Sequence, residues 1–405
     1  MAEDDIYGNK KRYERWVEHN ITQKNVLKKP KDGGLRRYYC KNESNLKYFK
    51  KLIRSFEVDD LSYIRRQRLL DFTQLLTFLI DCDLKDVNSI EKEEVILGIR
   101  ERYSSSQLSK TARDIRRIGK VLFEEEERPK FFKDFSIKVD ISRQIARKDK
   151  IDYEEFSSLI NYFVQDLVMQ AYLTIAFETL VRPQELLYTR IRDLEINNKY
   201  AYINISSHGK EGVKKLLCID SYPYLIKMYN NHRNKNNKDA YLFINEYGNQ
   251  LTPLSINKKI KLGCNKLKID KPITCYSIKR AGITIRRLQG DDDVTIQRLA
   301  GWSSTRQLKT YDQSTQDDVF KIQLAKRGLI KDEKYKEHLP QTKECEYCGE
   351  LVGFAESMCP RCKRTTDKEE IRSELKQQEE LLNKLEIFNK FYKLHKEEFE
   401  KILKQ

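Results

Sequence analysis

The residues whose types and spacing could do chemistry are concentrated between Cys275 and Tyr311. This stretch reads CYSIKRAGITIRRLQGDDDVTIQRLAGWSSTRQLKTY and combines basic side chains, a Gly-Trp corner and a tyrosine. A tyrosine has a free pKa of about 10 and becomes a nucleophile where cationic neighbours favour its phenolate. Because the chain contains 23 tyrosines, Tyr311 alone does not establish that role.

Local signals predict the elements that lead to Tyr311. Aspartates at 291–293 can accept the free backbone N–H groups at a helix start, which predicts a helix over Val294–Ala300. Gly301 ends that helix, because glycine readily adopts the left-handed conformation found after a helix C-terminus. Trp302 and two serines then form a corner, and Tyr311 follows nine residues after Trp302.

Arg182 stands at a distinctive place upstream of this stretch. Pro183 suits the first turn of a helix, so Arg182 lies just before a helix N-terminus. An anion there would meet both a guanidinium and free backbone N–H groups. A salt bridge to Glu185 or Asp193 is the structural alternative.

A β-hairpin is predicted over Lys199–Ile219. YAYINIS and VKKLLCI are strand-like, and SHGKEG between them has the glycines of a tight turn, with Lys210 at its tip. A turn lysine is usually solvated, whereas one facing a phosphate can act as a proton donor.

Helical periodicity extends over much of the remaining chain. Residues 45–135 predict four or five helices, and two amphipathic helices are predicted to end near Thr179. Further helices are predicted over Tyr222–His232 and Pro253–Leu267, with AYLFIN between them as a short strand. Residues 1–43 are polar and basic, which indicates an N-terminal extension with a short helix and a linker.

The segment SSSQLSKTARDIRRIGKVLF carries a run of basic side chains within the first helical region. These residues either form an ordinary solvated face or lie along a DNA backbone. The second possibility predicts DNA contacts from Lys110, Arg113, Arg116, Arg117 and Lys120.

Length and charge narrow the class of protein. The 405 residues are enough for two or three domains. Lys and Arg total 78 against 62 Asp and Glu, and the resulting charge of +16 favours a polyanion such as nucleic acid as partner. No apolar run reaches the roughly 18 residues of a membrane span, and the first residues lack the apolar core of a signal peptide. We therefore expect a cytoplasmic protein.

Four of the nine cysteines form two C-x-x-C pairs separated by ten residues. This is the arrangement of a short zinc ribbon, in which four thiolates surround one tetrahedral Zn²⁺. The predicted ligands of this structural zinc are Cys345, Cys348, Cys359 and Cys362. The ribbon could hold DNA through nearby basic residues or dock on another subunit, and the other five cysteines are predicted to be reduced thiols.

In this order, Arg182, Lys210 and the Cys275–Tyr311 stretch resemble the tyrosine recombinases, or phage-type integrases, over roughly residues 45–330. The motif order of that family is Arg, hairpin Lys, His-x-x-Arg, His or Trp, then Tyr. ETLVRPQELL is similar to its T-G-x-R-x-x-E-L box, HGKEGVKK to its lysine turn, and GITIRRLQGDDDVTIQRLAGWSS to its box ending in L-G-H/W-S-S. SYPYLIKMYNNHRN and the cysteine pairs resemble an archaeal branch.

One box departs from the family pattern. Tyr276 stands at the position of the family's His, and Lys279 stands at that of its second Arg, with Arg280 next to it. Lysine keeps the charge but lacks the bidentate fork that matches two phosphate oxygens. The second cationic position is therefore assigned to the pair Lys279 and Arg280 without a choice between them.

The resemblance implies a DNA strand exchange that needs neither ATP nor a catalytic metal. Tyr311 would attack a phosphodiester to form a 3′-phosphotyrosine while Arg182 and Lys279 or Arg280 stabilise the nonbridging oxygens. Lys210 would protonate the departing 5′ oxygen. Trp302 can pack the pocket and donate one indole N–H, but it cannot act as acid or base.

The predicted fold is mainly α with a small antiparallel sheet. It comprises a basic N-terminal extension (1–43), a helical core-binding DNA-clamp domain (44–140) and an α+β tyrosine recombinase catalytic domain (147–330). A zinc ribbon (340–366) and an amphipathic or coiled-coil C-terminal helix (368–405) follow. Apolar residues from Leu381 to Ile402 at alternating steps of four and three predict the last helix. That helix packs on its own chain or supports synapsis in trans.

The leading interpretation is a site-specific recombinase that integrates or excises a mobile element and multimerises on double-stranded DNA. One alternative is a relaxing activity like that of type IB topoisomerases, which use the same phosphotyrosine step without partner exchange. Another is a DNA-binding regulator on a catalytically weakened integrase scaffold, which Tyr276 and Lys279 motivate.

Overall fold

Apolar residues three and four apart dominate the sequence, and the chain is accordingly mainly helical. The computed structural model describes residues 8–29, 38–87, 89–138, 148–206, 212–330 and 342–395. The chain divides into two compact units, residues 1–146 and 147–405, which are described separately. The domain bounds within each unit stay predictions.

The first unit is helical throughout its described secondary structure. Its α-helices are α1 (Asn9–Val17), α2 (Leu46–Val58), α3 (Tyr63–Leu79), α4 (Ser89–Arg102), α5 (Ser105–Leu122) and α6 (Lys130–Lys133). Five of them fall in the region for which four or five were predicted. The core includes the fully buried Phe49, Leu69 and Ile115.

The N-terminal residues contribute to the same core. Tyr13 of α1, Val26 and Cys40 are buried in the cluster that contains Phe49. The described part of the predicted extension therefore packs on the helices, because its few apolar residues are buried against them. The GlyGly of the predicted linker at 33–34 lies outside the described residues.

The second unit contains helices around a small sheet. Its elements up to the last strand of that sheet are α7 (Tyr153–Tyr162), α8 (Leu167–Thr179), α9 (Pro183–Leu187), β1 (Leu194–Ile196), β2 (Ala201–Ile205) and β3 (Lys214–Cys218). The helices that follow are α10 (Tyr222–Asn230), α11 (Pro253–Lys266), α12 (Cys275–Gln289), α13 (Asp293–Ala300), α14 (Leu308–Tyr311) and α15 (Gln316–Lys326). AYLFIN forms isolated β-bridges instead of the predicted strand.

Helix α8 lies at the centre of the second unit. All of its residues from Met169 to Thr179 are buried, so the prediction that this helix is amphipathic was wrong. Helix α12 packs closely on it, since a Cβ at Gly282 would lie 2.2 Å from the Phe177 carbonyl oxygen. The Glu178 carboxylate accepts backbone N–H bonds from residues 219, 220 and 221 at 2.8–3.0 Å and so fixes the turn after β3.

The sheet has the order β1-β2-β3 and is antiparallel. Strands β2 and β3 form the predicted hairpin, and β1 adds a third strand that was not predicted. Ile205 pairs with Lys214, Ile203 with Leu216 and Ala201 with Cys218. Because alternate residues share a face, Lys214 lies on the buried face with Leu216 and Cys218.

The chain continues with a small ribbon and a long helix. Strands β4 (Lys343–Glu344) and β5 (Leu351–Val352) pair in antiparallel, and α16 spans Lys368–Leu394. Phe354 follows β5 and packs against the rings of Tyr153, Phe156 and Tyr224, with ring centroids 5.6–6.3 Å away. None of the described helices is long and apolar enough to cross a membrane.

Candidate active site

Arg182 is placed by a left-handed turn at the end of α8. Leu180, at the glycine position of the T-G-x-R pattern, has φ 55° and is fully buried. Arg182 then lies in an extended conformation just before Pro183 begins α9, as predicted. Its Nη1 is 3.5 Å from Glu185 Oε1, whereas Asp193 accepts the backbone N–H of Arg190.

Lys279 meets both Trp302 and Tyr311. Its Nζ lies 5.4 Å from the centroid of the Trp302 ring and 5.2 Å from that of Tyr311, and the two rings are 5.1 Å apart. Lys279 is fully buried, and Tyr311 is half-buried. A buried ammonium over aromatic faces is stabilised by their negative quadrupole.

Arg280 points to a different partner. Its Nη2 forms an ion pair with Asp149 and lies 3.2 Å from Ser277 Oγ. Ser277 Oγ also donates to Asp149 Oδ2 at 2.8 Å. Of the two candidate cations on α12, Lys279 therefore lies in the pocket of Tyr311, while Arg280 binds a carboxylate.

Tyr276 lies at the same pocket. Burial raises the pKa of Tyr276 to about 12, with further electrostatic contributions from Tyr311, Arg182 and Glu185. A phenol with this pKa stays neutral near pH 7, so it can donate a hydrogen bond but cannot take the acid–base part of a histidine.

The corner at Trp302 is built as predicted. Asp292 accepts backbone N–H bonds at the start of α13, and Gly301, with φ 71°, ends that helix. Trp302 is 4% exposed and packs with Leu180 and Ile283, and Tyr311 lies against this cluster. The buried indole N–H of Trp302 has no hydrogen-bond acceptor among the described residues.

Lys214, which was not among the predicted residues, lies beside Glu185. Its Nζ lies 2.9 Å from Glu185 Oε2 and 3.3 Å from the Ala300 carbonyl oxygen. The signal was the alternation of VKKLLCI, which places Lys214 on the face of buried Leu216 and Cys218. The predicted Lys210 lies outside the described residues.

The basic run of α5 does not form one exposed stripe. Arg116 donates to the Phe135 carbonyl oxygen at 2.8 Å, and Arg117 pairs with Asp59 at 3.5 Å. The remaining three are exposed, namely Lys110, Arg113 and Lys120.

The four ribbon cysteines come together as predicted. Their sulfurs all lie within 4.8 Å of one another, with Cys345 and Cys362 at 3.6 Å and Cys348 and Cys359 at the same distance. Four sulfurs held about 2.3 Å from a tetrahedral Zn²⁺ lie about 3.8 Å apart. The donor set therefore fits a metal such as zinc.

Comparison with known proteins supports the assignment of this domain. The model of the phage integrase family matches residues 149–317, which include the residues from Arg182 to Tyr311. These residues form a phage integrase family domain. No curated protein sequence matches the chain significantly.

Solved structures share the fold of this chain. The Tn1549 transposon integrase in complex with transposon right end DNA has 15% identity, a TM-score of 0.53, and coverage of 69% of this chain and 99% of its own. A lambda integrase dimer bound to a COC′ core site has 12% identity, a TM-score of 0.53, and coverage of 66% and 96%. XerH recombinase bound to a palindromic difH substrate has 11% identity, a TM-score of 0.53, and coverage of 81% and 98%.

Proposed function

We propose that this protein is a recombinase that cuts and rejoins DNA strands at specific sites through a 3′-phosphotyrosine on Tyr311. The observation that carries the proposal is the convergence of Lys279, Trp302 and Tyr311, with both rings within 5.4 Å of one ammonium. The DNA-bound integrases with the same fold support double-stranded DNA as the substrate.

The proposed reaction exchanges one phosphodiester for another. The phenolic oxygen of Tyr311 attacks the scissile phosphorus and loses its proton to water, and the bond from phosphorus to the 5′ oxygen breaks. Lys210 supplies a proton to that oxygen. Attack by a 5′ hydroxyl of the partner strand reverses the step, so bond energy is conserved and no ATP is consumed.

The pocket offers cations and donors to a phosphate. The Lys279 ammonium and the Arg182 guanidinium would balance the charge that builds on the nonbridging oxygens in the transition state. The buried N–H of Trp302, which has no acceptor in the described part of the chain, suits a phosphate oxygen. Tyr276, as a neutral phenol, can donate a further hydrogen bond.

We also propose that the four cysteines hold a structural Zn²⁺, which would join the two ends of the ribbon. We further propose that the protein acts on a mobile element, belongs to an archaeal branch of the family and is located in the cytoplasm. These proposals are supported by the motif resemblance.

A selection on nicked DNA tests the function. The protein is mixed with duplexes that carry a single nick beside a randomised segment, and complexes that survive denaturation are sequenced. We expect an enriched site that forms an adduct with the wild type and none with Tyr311→Phe. Tight binding without an adduct would contradict cleavage and favour a regulator. An adduct without sequence enrichment would favour topoisomerase-like relaxation.

A further inference from the structure

We propose that Lys214 is a positioning residue of the cleavage reaction, which neutralises Glu185 and thereby keeps Glu185 from drawing Arg182 into a tight pair. The inference rests on the proposed DNA cleavage function. It concerns a lysine on β3 that is separate from the predicted hairpin lysine, Lys210.

Lysine is rarely buried on the inner face of a strand unless a partner holds it. The Lys214 side chain is only 11% exposed, and the register of β3 directs it inward beside Leu216 and Cys218. Lys215, the next residue, pairs with Glu195 at 2.6 Å on the outer face and is 45% exposed. The two adjacent lysines therefore have different environments on one strand.

Glu185 is a fully buried carboxylate that faces two cations. Lys214 Nζ lies 2.9 Å from one of its oxygens, and Arg182 Nη1 lies 3.5 Å from the other. The closer partner carries more of the attraction, because Coulomb energy grows as distance falls. The contact between Arg182 and Glu185 is thus the longer of the two, and at 3.5 Å it is not a short charge-assisted pair.

Lys214 also connects the Arg182 region with the Trp302 corner. Its ammonium lies 3.3 Å from the carbonyl oxygen of Ala300, the last residue of α13, where a cation is favoured. A Cβ on Gly301 would lie 2.8 Å from Lys214 Cδ, so the stem packs against the turn that leads to Trp302. One side chain therefore fixes both Glu185 and the approach to Trp302.

Removal of the ammonium should leave Glu185 as an uncompensated buried charge that draws Arg182 into a tight pair. Arg182 would then be misplaced for the phosphate, and a displacement of about 1 Å costs about 100-fold in rate. Neutralising Glu185 at the same time should release Arg182 again.

The test measures single-turnover adduct formation on the nicked duplex recovered in the selection above. Lys214→Met should cleave about 100-fold more slowly than the wild type with unchanged DNA affinity. Lys214→Arg should retain more activity, because it keeps a cation near Glu185. The double variant Lys214→Met with Glu185→Gln should recover most of the loss, and Lys215→Met is the matched control that should behave as the wild type.

Melting curves show which variants are folded. If Lys214→Met fails to fold, the double variant tests the inference instead. Replacing both members of a buried ion pair often leaves stability unchanged, so this variant should fold. It should cleave within about tenfold of the wild type.

Three results would overturn the inference while the cleavage function stands. They are a Lys214→Met variant as active as Lys215→Met, a folded double variant no faster than Lys214→Met, and a loss of DNA affinity equal to the loss of rate. Absence of an adduct with both the wild type and Lys215→Met would instead contradict the proposed function itself.

Discussion

Tyr276 and Lys279 determine what α12 offers to a phosphate near pH 7. The phenol of Tyr276 is neutral near pH 7, and burial raises its pKa further, to about 12. Lys279 presents a compact ammonium where the family pattern has a guanidinium. The pocket therefore contains a neutral hydrogen-bond donor and a point charge at these two described positions. Neither of them supplies the bidentate guanidinium of the family pattern.

We predict that Lys279 and Arg280 have separable roles. Lys279→Met should lower the cleavage rate by about 100- to 1,000-fold, because it removes a cation from the transition state. Arg280→Met should instead lower the free energy of unfolding by about 3–5 kcal/mol, because it leaves buried Asp149 without this partner. Single-turnover cleavage and urea unfolding measure the two effects.

The opposite pattern would show that the assignment is reversed. A Lys279→Met variant with normal cleavage, together with an Arg280→Met variant that is stable but inactive, would place Arg280 at the phosphate. Lys279→Arg is the matched control and should retain more activity than Lys279→Met.

At the scale of secondary-structure elements, the sequence predicted which helices exist better than it predicted which of their residues face inward. The helix leading to Gly301 was expected over Val294–Ala300, and α13 spans Asp293–Ala300. The choice between Lys279 and Arg280 could not be made, because most of α12 is buried and its periodicity selects no single inner face. The choice between these two residues depends on how α12 packs on α8 at Gly282, which is a tertiary contact.

For β3, by contrast, the periodicity of the sequence does indicate which residues lie on the buried face. Alternation places Lys214 on the face of Leu216 and Cys218. The separate prediction of Lys210 at the turn stays a prediction, because that residue lies outside the described residues. Similarly, the two cysteine pairs predicted a metal cluster, because ligand spacing within a ribbon is local. The packing of Phe354 on distant aromatic rings left no comparable local signal.

The ribbon loop should stabilise the second unit. Phe354 is 8% exposed among Tyr153, Phe156 and Tyr224, so Phe354→Ala should cost about 3–5 kcal/mol of unfolding free energy. Removal of zinc by a chelator should lower the melting temperature of the wild type more than that of Phe354→Ala, which has already lost this contact.

Phe388→Ala is the control for this prediction. Phe388 is 54% exposed on α16, so its removal should change stability by no more than about 0.5 kcal/mol. Equal effects of a chelator on the wild type and on Phe354→Ala would contradict a coupling between the metal and the packing of the loop.

At the scale of the whole molecule, the charge of +16 implies that phosphate contacts contribute much of the DNA affinity. The structure narrows which residues of α5 can supply them. Arg116 and Arg117 make contacts within the first unit, whereas Lys110, Arg113 and Lys120 are exposed. Composition could predict the partner, but it could not separate these two groups, since both are basic and close in sequence.

We predict that replacing the three exposed residues by alanine weakens DNA binding without changing the melting temperature. If each contacts one phosphate, the slope of log affinity against log salt should become shallower by about 3. Titrations at several salt concentrations measure this slope. Unchanged affinity would exclude this face of α5 from the DNA contact.

The central claim is that Tyr311 is the nucleophile, although Tyr276 lies in the same pocket. The most direct measurement is peptide mapping by mass spectrometry of the covalent adduct on the nicked duplex. A nucleotide attached only to the peptide that contains Tyr311, and no adduct from Tyr311→Phe, is the predicted result. Attachment to Tyr276, or an adduct that persists in Tyr311→Phe, would contradict the account.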